Sequence, residues 1–216
     1  MSVTFYYASG SPYAWRVWLA LEHKQIPYEL RLLSFSAGDL KTPEFTALNP
    51  RARVPVIVDE GFALYESAAI VEYLEERYPR SGQPLFPEDT RERAVVRRLI
   101  READEYVAHP MEGLVGEILF KPREEWIATT IQASRAALVA ELDYFERAIG
   151  DAFLAATAGA ADFTLYPLLA LSLRLERFMR DLDLGCALGP KLSAWMRRVE
   201  NLPYFAKTYP PHWKNG

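Results

Sequence analysis

"VPVIVDEGFALYESAAIVEYLEERYP", residues 54–79, changes its period halfway along and so decides how the first third of the chain folds. Residues 54–58 (VPVIV) and 62–66 (FALYE) are apolar runs on either side of Asp59-Glu60-Gly61, which reads as a hairpin. From Glu66 the pattern turns helical: Ile70, Tyr73 and Leu74 fall on one side, and Pro79 stops the run. Towards the N-terminus, residues 28–33 (YELRLL) alternate as a strand, and residues 3–7 (VTFYY) are β-branched and aromatic, closed by Gly10. Between these two runs, Ser11 is a good N-cap and Pro12 suits the first helical position, where no N–H is needed. Tyr13, Val17, Ala20 and Leu21 then share a helical face, and Pro27 ends the element. Strand, helix and strand in that order make a βαβ unit, whose strands should be parallel. Residues 1–79 therefore read β-α-β, an irregular stretch, then β-β-α.

Residues 80–89 (RSGQPLFPED) have the composition of a linker, and everything after them carries helical signal alone. Asp89 with Glu92 three residues later resembles a capping box. In 124–149, Ile127, Ile131, Ser134, Leu138, Leu142, Phe145 and Ile149 recur at spacings of three and four, and Gly150 ends the run. Residues 161–179 and 190–200 supply two more helices, the first with Pro167 inside it, where a kink is expected.

The 216 residues are 50% hydrophobic and 25% charged, enough for a sizeable core. Net charge is −4, split evenly: residues 1–80 hold 8 basic and 10 acidic side chains, the remainder 17 and 19. No part is a basic arm, which argues against nucleic acid and anionic membranes as partners. The single cysteine, Cys186, rules out an internal disulfide and a CxxC pair. Residues 1–10 have no basic n-region, and no apolar run is long enough to span a bilayer, so a soluble cytoplasmic protein is expected. His23, His109 and His212 are scattered without metal-ligand spacing, so no metal is expected. Trp15 and Trp18 read as core or interface residues, and Cys186, after Leu182 and Leu184, as a structural thiol.

This layout resembles that of the cytosolic glutathione transferases, in particular serine-type, bacterial-like members. Three stretches carry the resemblance. Residues 49–79 are similar to the family's glutathione-site segment almost throughout, residues 11–21 (SPYAWRVWLAL) to the active-site helix of the serine-type classes, and residues 159–167 (GAADFTLYP) to the buried cap-and-Asp motif of the helical domain. The resemblance covers essentially the whole chain. It implies an α/β thioredoxin-like domain (βαβ-ββα) over 1–80 and an all-α domain over 89–216. It also implies glutathione as co-substrate with no tightly bound cofactor, a small hydrophobic electrophile as second substrate, and a homodimer. The long helical stretches 90–117 and 124–149, whose apolar faces exceed what one core needs, also favour a dimer.

Read alone, Pro55 is a strand-start proline; the resemblance makes Val54-Pro55 a cis bond that turns the Val54 backbone outward, where the cysteinyl part of glutathione can pair as one more strand. Glu66 and Ser67 read alone as residues of a helix start. The resemblance adds that this helix N-terminus and the Ser67 hydroxyl hold the γ-glutamyl carboxylate, while Glu66 pairs with its ammonium. Arg53 and Lys41, otherwise solvated cations, stand where the family holds the glycyl carboxylate. Gly159 replaces the Ser or Thr usual in the family and is a weaker cap. Asp162, at the third helical position, belongs to a folding motif without chemistry.

Ser11 is the catalytic candidate. A thiol with a pKa near ~8.5 is little ionised at pH 7. A helix dipole favours the thiolate by ~0.3–2 kcal/mol, and a hydrogen bond to the charge by ~1.5–3 kcal/mol. Ser11 is then a donor to the glutathione sulfur, not a nucleophile. Tyr6 and Tyr7, at the end of the first strand, are the rivals, as in the family's tyrosine classes, although the loop from Tyr7 to Arg16 is shorter than theirs. SPYAWRV also resembles the zeta-type isomerases that act on maleylacetoacetate, whose motif has Ser and Cys where Pro12 and Tyr13 stand. A third reading is a binding protein of this fold that catalyses nothing. Tyr13, Met111 and Val115 are candidates for lining the electrophile pocket.

Overall fold

The computed structural model of the chain describes residues 2–150 and 152–214. It opens with β1 (Val3–Tyr7), α1 (Pro12–His23) and β2 (Tyr28–Leu32). Alternation in β1 puts Val3, Phe5 and Tyr7 into the core. The two strands pair in parallel, Val3 opposite Tyr28 and Tyr7 opposite Leu32. The stretch expected to be irregular contains a 3₁₀ turn (Asp39–Lys41) and a short helix, α2 (Pro43–Leu48). Its start is signalled by Thr42, whose hydroxyl accepts from the Phe45 N–H, and by Pro43 at the first position. Six residues are too few to show helical periodicity.

β3 (Val56–Asp59) and β4 (Phe62–Tyr65) form the hairpin. Glu60 and Gly61 both have positive φ, 51° and 86°, the primed-turn sign that matches the strand twist. The sheet runs β2-β1-β3-β4, with β3 antiparallel to both β1 and β4. α3 (Ser67–Arg77) packs against α1, burying Ile70, Val71 and Leu74. The linker folds back beneath α1. Gly82, at φ +55°, lies so close that a Cβ would come 2.4 Å from the His23 carbonyl oxygen, so only glycine fits. Lys24 is buried with its ammonium 2.7 Å from Glu75, which also accepts from the Leu85 N–H at 3.1 Å.

The helical half begins with α4 (Thr90–Glu102), where Asp89 accepts from the N–H groups of Arg91 and Glu92 at 2.9 and 3.0 Å. A π-helical turn, Ala103–Val107, carries α4 into α5 (Ala108–Ile118). α6 (Ala128–Ala148), α7 (Ala160–Arg174), α8 (Leu184–Ala187) and α9 (Pro190–Glu200) follow. α7 runs on through Pro167. Its first turn is held by Asp162, which is 1% exposed and accepts from Leu154 N–H (2.9 Å), Gly159 N–H (3.0 Å) and Trp195 Nε1–H (2.7 Å). Gly159 has no side chain to cap with, so only the reciprocal half of a capping box is made, Asp162 at the third position accepting from the Gly159 N–H. Leu182 and Leu184 are fully buried, but Cys186 is exposed, so it is not a packed structural thiol.

The chain divides into two compact units, one running to Pro87 and resuming at Pro203, the other spanning Glu88–Leu202. The expected second domain, 89–216, is therefore corrected at its far end. Residues from Pro203, including α10 (Phe205–Thr208), join the first unit because α1 presents an indole that needs cover. Trp15 Nε1–H donates to Thr208 at 2.9 Å, and the rings of Phe205, Tyr209 and Trp213 surround it at 5.8, 5.7 and 5.5 Å. Among the described residues, no helix is long and apolar enough to cross a membrane, and no group of three or more His, Cys, Asp or Glu is placed to hold a metal ion.

Candidate active site

The turn from β1 into α1 is made by Ala8–Ser11. Gly10 takes φ +85°, which L side chains rarely adopt. Ser11 then has extended backbone (φ −68°, ψ 118°) and its Oγ accepts a long, 3.3 Å bond from the Ala14 N–H. That bond uses one lone pair of the hydroxyl and leaves its proton available to donate. α1 has no acidic residue in its first turn, so the positive end of its dipole is not offset from within the helix. Ser11 is 9% exposed. Behind it lies a cavity of about 10 Å³, roughly the room one water needs, lined among others by Tyr7, Ser9, Trp15, Thr208 and Pro210.

Val54-Pro55 is cis, as the resemblance implies. The approach to it is clamped by Asn49, which sequence reasoning passed over. Asn49 is 2% exposed, donates from Nδ2 to the Arg53 carbonyl at 2.7 Å, and accepts from the Arg51 N–H at 3.0 Å. This clamp holds Ala52 at φ 51°. The only signal for it was the turn-forming Asn49-Pro50 pair. Val54 is buried with Ala8, Leu40, Phe45 and Val56, which joins the Ser11 turn, α2 and β3 in one apolar cluster.

β4 delivers the chain to α3 through Glu66, whose φ of 70° and ψ of 106° are strained for a side-chain-bearing residue. The Glu66 side chain is exposed and makes no cap bond, and α3 has no acid in its first turn. The helix therefore presents its first N–H groups without an acceptor from its own cap, the arrangement that binds a carboxylate. Ser67, the first helical residue, is 6% exposed. Arg53 and Lys41 are both exposed, on the cis-proline approach and the 3₁₀ turn respectively.

Tyr7 is the buried rival to Ser11. Its ring stacks on Phe5 at 5.6 Å and meets Trp18 edge-on at 5.0 Å, and burial pushes its phenol above the ordinary range. Tyr6 points to the other face, against Phe45 at 6.1 Å. Tyr13 is half-buried beneath the guanidinium of the buried Arg16, 5.9 Å from its ring centre. On α5, Met111 is buried and Val115 half-buried.

Residues 10–77 match the family model described as glutathione S-transferase, N-terminal domain. The chain is 27% identical over 220 residues to glutathione S-transferase A of Pleuronectes platessa, covering 98% of this chain and 92% of that one. It is 35% identical over 133 residues to a probable maleylacetoacetate isomerase 2 of Drosophila melanogaster, covering 58% of this chain and 57% of that one. Among solved structures, a glutathione S-transferase from the Antarctic clam Laternula elliptica superposes with a TM-score of 0.77 at 28% identity, covering 100% of this chain and 95% of that one.

Proposed function

This chain belongs to the glutathione S-transferase family, and from that premise we propose that it joins glutathione to a small hydrophobic electrophile. The observation that supports this best is the Ser11 hydroxyl, which caps α1 with a lone pair and keeps its proton for an anion. Glutathione lies extended, its cysteinyl backbone pairing with Val54 beside cis-Pro55. Its γ-glutamyl carboxylate takes the open start of α3 with Ser67, its ammonium meets Glu66, and its glycyl carboxylate meets Arg53 and Lys41. The thiol releases its proton to solvent, and Ser11 donates to the resulting thiolate. The sulfur attacks the electrophilic carbon, a C–S bond forms, and the leaving group departs with its electron pair. Tyr13, half-buried on α1, is the first unit's candidate for the electrophile's side of the site.

The likeness to the fly isomerase favours a second reading, isomerisation of a maleylacetoacetate-type substrate, in which the thiolate adds and is expelled again. Assays of thioether formation across activated aryl halides, epoxides and enones should give a conjugated product. Isomerisation without net consumption of glutathione would favour the second reading. Retention on immobilised glutathione with neither activity would leave a binding protein, and no retention would overturn the glutathione site itself. The proposal extends to a homodimer, so light scattering should return about twice the 24.7 kDa chain mass.

The two carboxylate anchors predict separate losses. Ser67→Ala and Arg53→Ala should each weaken glutathione binding by ~1–3 kcal/mol, the worth of a charge-assisted hydrogen bond. Calorimetric titration checks both, and wild-type affinity in both variants would refute the placement.

A further inference from the structure

The residues from Tyr204 to Trp213 run the length of α1, back from its C-terminal end to the turn that precedes it. Tyr204 Oη lies 2.6 Å from His23 Nδ1, Lys207 Nζ lies 2.5 Å from Glu22, and Thr208 accepts from Trp15. Beyond them the strap reaches the Ser11 turn itself. His212 Nδ1 is 2.7 Å from Ser9 Oγ. The His212 ring and the Trp213 indole cover Gly10, where a Cβ would come 2.8 Å from His212 Cε1 and 3.2 Å from Trp213 Nε1.

The turn's own bonds are long by comparison: Ser11 N–H to the Ala8 carbonyl is 3.2 Å, and Ala14 N–H to Ser11 Oγ is 3.3 Å. The shorter contact on the turn is thus the one made from the far end of the sequence. We propose that His212 is a positioning residue for the thiolate site: through Ser9 it fixes the Ala8–Ser11 turn and so aims the Ser11 hydroxyl. Depending on the ring's tautomer, Ser9 O–H donates to Nδ1 or Nδ1–H donates to Ser9 Oγ, and either form holds the turn. A hydrogen bond that aims a donor acts through geometry, and a displacement of about 1 Å at such a site can cost about a hundredfold in rate. The strap makes its contact at Ser9, two residues before the donor, so a smaller effect is expected.

This inference rests on the reading of Ser11 as donor to the glutathione thiolate, and its test has an arm that does not. His212 is exposed, so His212→Ala should fold. Without glutathione, hydrogen exchange of the Ser11 and Ala14 amides should speed up about fivefold, the effect of losing one net hydrogen bond. With glutathione, the bound thiol's pKa should rise and kcat should fall about 3–10-fold at neutral pH, with the glutathione Kd within about twofold of wild type. Ser9→Ala should do the same, the double variant should be no worse than either single one, and His212→Asn should restore part of the loss. Unchanged exchange in His212→Ala, or losses that add in the double variant, would overturn the proposal. Faster exchange with an unmoved thiol pKa would also overturn it, leaving His212 a surface stabiliser. If Ser11→Ala itself leaves the bound thiol pKa unmoved, the Ser11 reading fails, while the exchange arm still judges whether His212 holds the turn.

Discussion

Replacing Ser11 with alanine is expected to lower turnover at neutral pH by ~10–100-fold while glutathione still binds. The helix dipole of α1 stays, and the proposed anchors at α3 and Arg53 are untouched, so affinity should be retained. On the proposed role of Ser11, what is lost is the O–H that favours thiolate over thiol, and at ~1.4 kcal/mol per decade the thiol pKa should rise by about one or two units. The capping bond to Ala14 is already 3.3 Å long, so the accompanying loss of stability should stay near ~0.5–1 kcal/mol. Tyr7→Phe is the control, because the Tyr7 ring is packed between Phe5 and Trp18 and its phenol is pushed upward by burial. Ultraviolet absorbance of the bound thiolate against pH, in wild type and both variants, decides the matter. A raised thiol pKa in Tyr7→Phe with none in Ser11→Ala would transfer the role to the tyrosine.

The larger effect on stability is expected at Asp162. Asp162→Ala strands three donors inside the helical unit, the N–H groups of Leu154 and Gly159 and the Trp195 indole. Each buried unpaired donor costs roughly 1–3 kcal/mol, and together they should remove about 3–5 kcal/mol. Asp162→Asn should be milder, because it keeps an acceptor for Leu154 and Trp195 but turns an NH₂ towards the Gly159 N–H. Burial pushes the Asp162 carboxyl up to about 6 from an ordinary 3.8, against those three donors, which favour the anion. The folded state therefore holds this proton more tightly than the unfolded state. Between about pH 6 and 4 the group adds stability as pH falls, and Asp162→Ala lacks that gain. Urea unfolding at pH 7 and pH 5 should show a wider gap between wild type and variant at the lower pH. A gap that narrows on acidification would contradict the assignment.

The hairpin and α3 were legible because residues 54–79 change period within one unbroken stretch, and the βαβ unit because Ser11-Pro12 marks a helix start without help from tertiary contacts. α2 was not, being shorter than two turns. The buried Lys24–Glu75 pair was not, because a lone lysine and glutamate carry no sign that the linker will close over them. In the site, local signals marked Val54-Pro55 and Glu66-Ser67, but the strained φ of Glu66 is imposed by the β4–α3 junction and has no residue-type signature. His212 read as one of three scattered histidines, since its partner, Ser9, lies 203 positions away.

That separation has a consequence for how the protein is made. The first unit consists of two lengths of chain with residues 88–202 between them. At roughly 5–20 residues per second, a ribosome takes roughly 6–23 s to make the intervening segment. Through that interval the residues that cover Trp15 and clasp Ser9 have not yet been made. The domain begun first is completed only after the helical unit has been translated.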